Sequence, residues 1–406
     1  MSEPGYEDLW RRAAPQVLVA LLRRYGTGQF DLCEDALQEA LLAAHRQWPR
    51  DGAPTDAHAW LLTVAHRRMI DRIRSDHQRR ERERSYFDVW HPLADAPAPS
   101  RDDGVRLLRL CCHPALTRSS QVSLALRAVA GLTTAQIARA FLLPEATVAQ
   151  RVSRAKARIR AEGGVFPGPT DGVDRQESVL AVIYVMFTEG HTSSAGANVH
   201  DVRLSDEAIH LGRELHEDRP DDVEVAGLLA LMMLTDARRA ARTGARGELI
   251  PLDEQDRSMW DRAAIDEGTA ILDQALGRGA PGPYAIQAAI AALHDAAENA
   301  ESTDWLQILA LYRMLEQSTQ NPIATLNRAV AEAMVHGPAA GLAVVDELAQ
   351  SGVLADHRRI AAVRGHLLER AGRDGEAVEA YLAAAQLTLS IPEREYLHAR
   401  AARLRD

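Results

Sequence analysis

The sequence predicts an all-α protein in which two small helical domains are followed by a larger all-helical one. Three observations carry that prediction. Apolar residues recur at helical spacing along most of the chain, and the alternation expected of strands is almost absent. Two turn-rich stretches, 85–104 and 163–172, separate three periodic blocks. Charge is also divided: residues 1–165 hold 25 basic and 19 acidic side chains, net +6, whereas the remainder holds 22 and 38, net −16. A basic front and an acidic back imply that only the front meets phosphate.

The elements follow in order. Residues 7–25 form an amphipathic helix ending near Gly26. Residues 31–47 form a second, with Cys33, Ala36, Leu37, Ala40, Leu41 and Ala44 on its apolar stripe. Pro49 to Pro54 reads as a loop. A basic helix starts near His58, and between His66 and Arg84 it carries eight arginines against four acids. Trp60, Leu61, Val64, Ala65, Met69 and Ile73 give it an apolar side. The segment 85–104 interleaves Pro92, Pro97 and Pro99 with Asp88, Asp95, Asp102 and Asp103. It reads as a linker between a domain over 1–84 and a second over 105–165.

Residues 133–160 read as a helix-turn-helix. Thr133 and Gln136 have capping-box spacing, which starts a helix there. Ile137, Ala138 and Phe141 supply its buried face. Pro144 suits the first position of the next helix, where a missing N–H costs nothing. On that helix Val148, Val152, Ala155 and Ile159 repeat every three or four residues and face inward. Thr147, Gln150, Arg151, Arg154 and Arg158 then face outward, as a major-groove reader requires. A solvated basic helix is the bland reading of the same pattern.

From 171 to 406 the sequence reads as helices and loops. Residues 364–385 carry the small and aromatic positions of a tetratricopeptide-type hairpin: Gly365, Leu368, Gly372, Ala377, Tyr381 and Ala384. Gly337 and Gly372 lie 35 residues apart in the sequence, close to that repeat's length.

Other function classes find little support. No P-loop, dinucleotide fingerprint, hydrolase elbow or metalloprotease motif is present, so no cofactor and no catalytic residue is expected. Cys111, Cys112 and His113 invite a metal reading, but adjacent helical residues diverge and a fourth ligand is not evident, so buried thiols are favoured. The cluster from Glu189 to Ser194 reads as a capped loop in preference to a ligand pocket. Asp253 to Arg257 reads as a cap or a domain contact. The polar start, an odd cysteine count and apolar runs too short for a bilayer lead to the expectation of a cytoplasmic protein with no membrane contact.

Taken together, Asp35-Ala36-Leu37-Gln38-Glu39-Ala40, then Ala59-Trp60-Leu61 through Arg74, a linker and a terminal helix-turn-helix resemble the extracytoplasmic-function (ECF) class of bacterial sigma factors. Residues 7–84 are similar to sigma region 2 and 105–161 to region 4. The segments 110–116 (LCCHPAL), 184–196 (YVMFTEGHTSSAG) and 251–261 (PLDEQDRSMWD) resemble the subgroup with a long helical C-terminal extension. The resemblance implies core RNA polymerase and promoter DNA as partners. Asp35, Gln38 and Glu39 match the face that docks on the β′ clamp helices, and the β flap is implied as a second polymerase contact. Trp60, Arg67, Arg68, Arg72 and Arg74 match the part that melts and reads the −10 element. Thr147, Gln150, Arg151, Arg154 and Arg158 match the −35 reader. Asp88, Asp95, Asp102 and Asp103 match a segment that threads the RNA-exit region. The extension is expected to bind the sigma domains, polymerase or a regulatory protein, and to control activity.

Two other readings stay open. A one-component regulator, a helix-turn-helix joined to a sensing solenoid, explains 105–406 but leaves the basic helix at 60–84 idle. An enzyme housed in 171–330 lacks a paired catalytic constellation.

Overall fold

The computed structural model describes residues 6–26, 29–81, 103–113, 115–141, 143–161, 176–192, 195–196, 199–245, 247–319, 321–352 and 358–405. Asp88, Asp95 and Asp102 therefore lie outside the described residues, as do residues 163–172. The chain divides into two compact units, Met1–Val182 and Ile183–Asp406.

The first unit opens with α1 (Tyr6–Tyr25), α2 (Phe30–Asp51) and α3 (Ala57–Glu81). The three helices pack on one another, and Leu18, Leu21 and Leu22 of α1, the small stripe Cys33, Ala36 and Ala40 of α2, and Leu61, Ala65 and Met69 of α3 are all buried. Each fully buried leucine contributes roughly 1.5–3 kcal/mol from area removed from water. Burial also pushes the Cys33 thiol up to about 12, so it is an inert packing group.

One sequence expectation is corrected here. Helix α2 does not end before Pro49 but runs through it to Asp51, and the loop begins at Gly52. Trp48 explains the extra turn: it is 1% exposed and meets Trp60 edge-on at 5.5 Å. Burying that ring holds the last turn helical, and Gly52 N–H closes it on the Trp48 carbonyl at 2.9 Å with φ +82°.

Four shorter helices complete this unit: α4 (Asp103–Cys111), α5 (Arg118–Ala128), α6 (Thr134–Ala140) and α7 (Glu145–Ala161). Helix α6 begins with a full capping box. Gln136 N–H donates to Thr133 Oγ1 at 3.2 Å, and Thr133 N–H donates to Gln136 Oε1 at 2.8 Å. At the start of α5, Thr117 Oγ1 accepts from Ser120 N–H at 3.4 Å.

The unit boundary falls within α8 (Gln176–His191). In the second unit follow α9 (Val202–Asp218), α10 (Val223–Asp236), α11 (Arg262–Leu276), α12 (Pro283–Ala296), α13 (Trp305–Thr319), α14 (Pro322–His336), α15 (Pro338–Gln350), α16 (Arg358–Arg370), α17 (Asp374–Leu387) and α18 (Ile391–Arg403). Successive helices pack as hairpins. At α16–α17 a Cβ on Gly365 would lie 2.8 Å from Tyr381 Cδ1, so only glycine admits the ring. Tyr381, Leu368, Ala377 and Ala384 are buried there, and Gly372 turns the chain at φ +69°. The only strand pairing among the described residues is two residues long, with Ala195 opposite Leu389 and Gly196 opposite Ser390. No described helix is long and apolar enough to cross a membrane.

Candidate nucleic-acid interface

Helix α7 separates its faces as its sequence periodicity requires. Val148, Ala155 and Ile159 are buried against α5 and α6, and Val152 is half-buried. Thr147, Gln150, Arg154 and Arg158 are exposed, while Arg151 is half-buried at the edge. The exposed face thus offers amide, hydroxyl and guanidinium groups on a rigid apolar back. Such groups can read base edges and grip phosphate. Helix α7 starts at Glu145, with Pro144 just before it.

Helix α3 behaves differently. Arg67 and Arg68 are exposed, but Arg72 turns toward α2. Its Nη1 donates to Asp35 Oδ2 at 2.8 Å and its Nη2 to Glu39 Oε1 at 2.7 Å. Arg68 Nε lies 3.3 Å from Glu39 Oε2. The hydrogen bonds to Asp35 and Glu39 raise the Arg72 pKa further above its ordinary value. Two carboxylates expected to meet polymerase and two arginines expected to meet DNA therefore form one cluster. Gln38 stands exposed beside them, and the Arg74 side chain lies outside the described residues. Trp60 is half-buried, its ring resting on Trp48.

A second cluster went unnoticed in the sequence. Lys156, on the inner side of α7, is ion-paired with Glu34 of α2, lies 3.9 Å from Asp31 and sits over the Phe30 ring at 5.9 Å. Arg127 of α5 lies 4.0 Å from the other Glu34 oxygen. Glu34 is 8% exposed, so a charge is buried there only because it is paired. A signal was available: Lys156 is the single lysine of the chain.

The three signature segments have structural roles. Cys111 and Cys112 are fully buried, and burial pushes the Cys111 thiol well up. The His113 carbonyl accepts from Gln121 Nε2 at 2.8 Å, and Gln121 Oε1 accepts from Ser178 at 2.7 Å. At the end of α8, Arg242 donates to the His191 carbonyl at 2.9 Å and to Thr192 Oγ1 at 3.1 Å. In the third segment Asp256 caps a short 3-10 turn, and Trp260 is buried beneath Arg257 at 4.7 Å. Arg257 also donates to the His294 and Ala297 carbonyls at 2.7 and 2.6 Å. Glu254 pairs with Arg400 of α18 at 2.6 Å. Among the described residues no group of three or more His, Cys, Asp or Glu is arranged to hold a metal ion.

Comparison with known proteins agrees with this layout. Residues 9–80 match Sigma-70 region 2, residues 110–159 match Sigma-70 region 4, and residues 175–276 match a family of unknown function (DUF6596). An uncharacterized protein of Rhizobium meliloti (strain 1021) is 42% identical over 98% of this chain and 95% of its own length. The ECF RNA polymerase sigma factor SigK of Mycobacterium tuberculosis (strain ATCC 25618 / H37Rv) is 32% identical over 31% of this chain and 70% of its own. SigK of Mycobacterium bovis (strain ATCC BAA-935 / AF2122/97) matches to the same extent. No solved structure matches the chain.

Proposed function

This chain belongs to the ECF class of sigma-70 RNA polymerase sigma factors, and we propose that it binds core RNA polymerase and directs initiation by reading −10 and −35 promoter elements. The observation that carries this reading is the exposed Thr147, Gln150, Arg154 and Arg158 face of α7, in one chain with the arginine-bearing α3 and the acidic α2.

Each role follows from charge and exposure. Asp35, Gln38 and Glu39 dock on the β′ clamp helices, where complementary charge sets orientation and on-rate. A basic polymerase surface competes with Arg68 and Arg72 for the same carboxylates. Docking therefore frees those arginines to join Arg67 and Arg74 on the phosphates of the melted −10 strand. The half-exposed Trp60 ring sits at the start of that track, where an unpaired base stacks. Helix α7 enters the major groove at the −35 element, with Gln150, Arg151 and Arg154 toward base edges and Thr147 and Arg158 toward phosphate. The β flap receives the domain that carries α7. Phosphodiester chemistry belongs to the polymerase, and a polymerase partner implies the cytoplasm. The segment 171–406 controls promoter output.

Binding of the full-length chain to purified core polymerase without DNA tests this reading, followed by fluorescence anisotropy. Saturable binding that Asp35→Ala and Glu39→Ala weaken supports it. No binding to core, together with sequence-specific binding to duplex DNA, overturns it in favour of a one-component regulator.

A further inference from the structure

The second unit holds a cavity of about 510 Å³, within the size range of small-molecule sites. Its walls come from the Leu252–Arg257 loop, the end of α12, the 300–305 loop, and helices α13, α14 and α16. The sigma machinery of the first unit uses none of these residues.

The wall chemistry is specific. Leu252, Val330 and Met334 supply apolar surface. Arg257 and Arg370 bring two positive charges, and Asp253 and Glu301 bring two negative ones. Burial holds the imidazoles of His294 and His366 below their usual range, His294 at about 4, so both are neutral near pH 7. Trp305 Nε1 is shielded from water and has no hydrogen-bond partner among the described residues. A shielded donor of that kind costs about 1–3 kcal/mol unless something accepts from it. Arg257 is locked in place by the two carbonyls it holds and by its stack on Trp260. A fixed guanidinium loses little freedom on binding an anion.

These features select a ligand class. A nucleotide or another polyanion needs a surplus of cations, and the two carboxylates cancel the two arginines. A neutral apolar molecule would use none of the four charged side chains that line the cavity. We propose that this cavity binds a short zwitterionic peptide with an apolar or aromatic side chain. Its carboxylate meets Arg257 and Arg370, its ammonium meets Asp253 and Glu301, and its side chain meets Leu252, Val330 and Met334. Binding does not rest on the sigma reading; only its effect on promoter output would.

Calorimetry on the full-length chain tests the proposal, using tripeptide pools with free termini that together cover all standard side chains. Matched pools carry acetylated N-termini and amidated C-termini, and ATP serves as the polyanion control. The expected result is saturable heat from free pools rich in Leu, Met, Phe or Trp, and at least about tenfold weaker binding for blocked pools. Asp253→Asn and Arg370→Gln should each weaken binding about tenfold with an unchanged melting temperature, since both side chains are exposed. No saturable heat from any pool at millimolar concentration overturns the proposal. So does equal binding of blocked and free pools, or tighter binding of ATP that Arg370→Gln abolishes.

Discussion

Lys156 is ion-paired with Glu34, 122 positions earlier, and the pair joins α7 to α2 inside the first unit. Their side chains are 20% and 10% exposed, so neither charge is well solvated. On the proposed reading the domains carrying α3 and α7 reach two separated promoter elements, and parting them would break this pair. Removing either partner leaves the other shielded charge with only a more distant one, Arg127 at 4.0 Å from Glu34 or Asp31 at 3.9 Å from Lys156. A double-mutant cycle with Glu34→Gln and Lys156→Met, read by urea unfolding, should give a coupling of about 1–3 kcal/mol. Zero coupling would reduce the contact to coincidence. On the proposed reading, Lys156→Met also favours the parted state, so binding to promoter with core polymerase should strengthen even as stability falls.

The Arg72 cluster gives an opposed pair of effects. Arg72→Gln removes the competitor for Asp35 and one of two for Glu39, so affinity for core polymerase should rise while open-complex formation falls. Asp35→Ala and Glu39→Ala should weaken core binding, mainly in on-rate and most at low salt. Core-binding titrations and permanganate footprinting of the melted region read the two halves. A parallel loss of both for Arg72→Gln would make the cluster a simple scaffold.

The outer face of α7 should show the contrast between reading and gripping. Arg154→Ala is expected to cost about 1–3 kcal/mol on the preferred −35 sequence and to relax preference at one position. Arg158→Ala should weaken binding evenly across sequences and reduce the salt slope by about one. Binding to a randomised −35 library at several salt concentrations separates them.

Acid stability should depend on His294. Burial, with Arg238 and Arg257 nearby, lowers its pKa from 6.5 to about 4. The unfolded chain therefore takes up that proton first. The contribution is fully present above pH 6.5 and is lost as pH falls toward 4. Neighbouring Asp295 runs the other way: burial raises it to about 6, and its contribution is lost as pH rises through that value. The stability difference between the native chain and His294→Gln should therefore shrink by about 1–3 kcal/mol between pH 7 and 4.5. A difference independent of pH would show that His294 titrates normally.

Helix starts give the plainest energetic test. Thr133→Ala removes the Oγ1 that accepts from Gln136 N–H in the α6 capping box, keeps the backbone N–H that donates to Gln136, and should destabilise by about 1 kcal/mol. Chemical denaturation measures it.

What the sequence revealed and what it hid follow from range. The capping box of Thr133 and Gln136 spans one turn, and the Val148, Ala155 and Ile159 stripe repeats within one helix. Both were legible because local spacing sets them. The hairpin around Gly365 and Tyr381 was legible for the same reason. Pro49 misled, because burial of Trp48 against Trp60 outweighs the residue's tendency to end a helix. The Arg72 cluster and the Lys156–Glu34 pair join residues whose partners are fixed only by packing. No spacing rule reaches them, although a lone lysine among arginines pointed at one. The cavity was hidden for a like reason, since Asp253, Trp305 and Arg370 line it from a loop and two helices far apart in the sequence.

Run-off transcription with purified core polymerase tests the central claim most directly. The full-length chain would be compared with residues 1–172 on templates selected from a random promoter library. Discrete transcripts sharing −10 and −35 elements are expected, with a change in output when residues 173–406 are removed. No specific transcript from either, under conditions where a known sigma factor initiates, would contradict it.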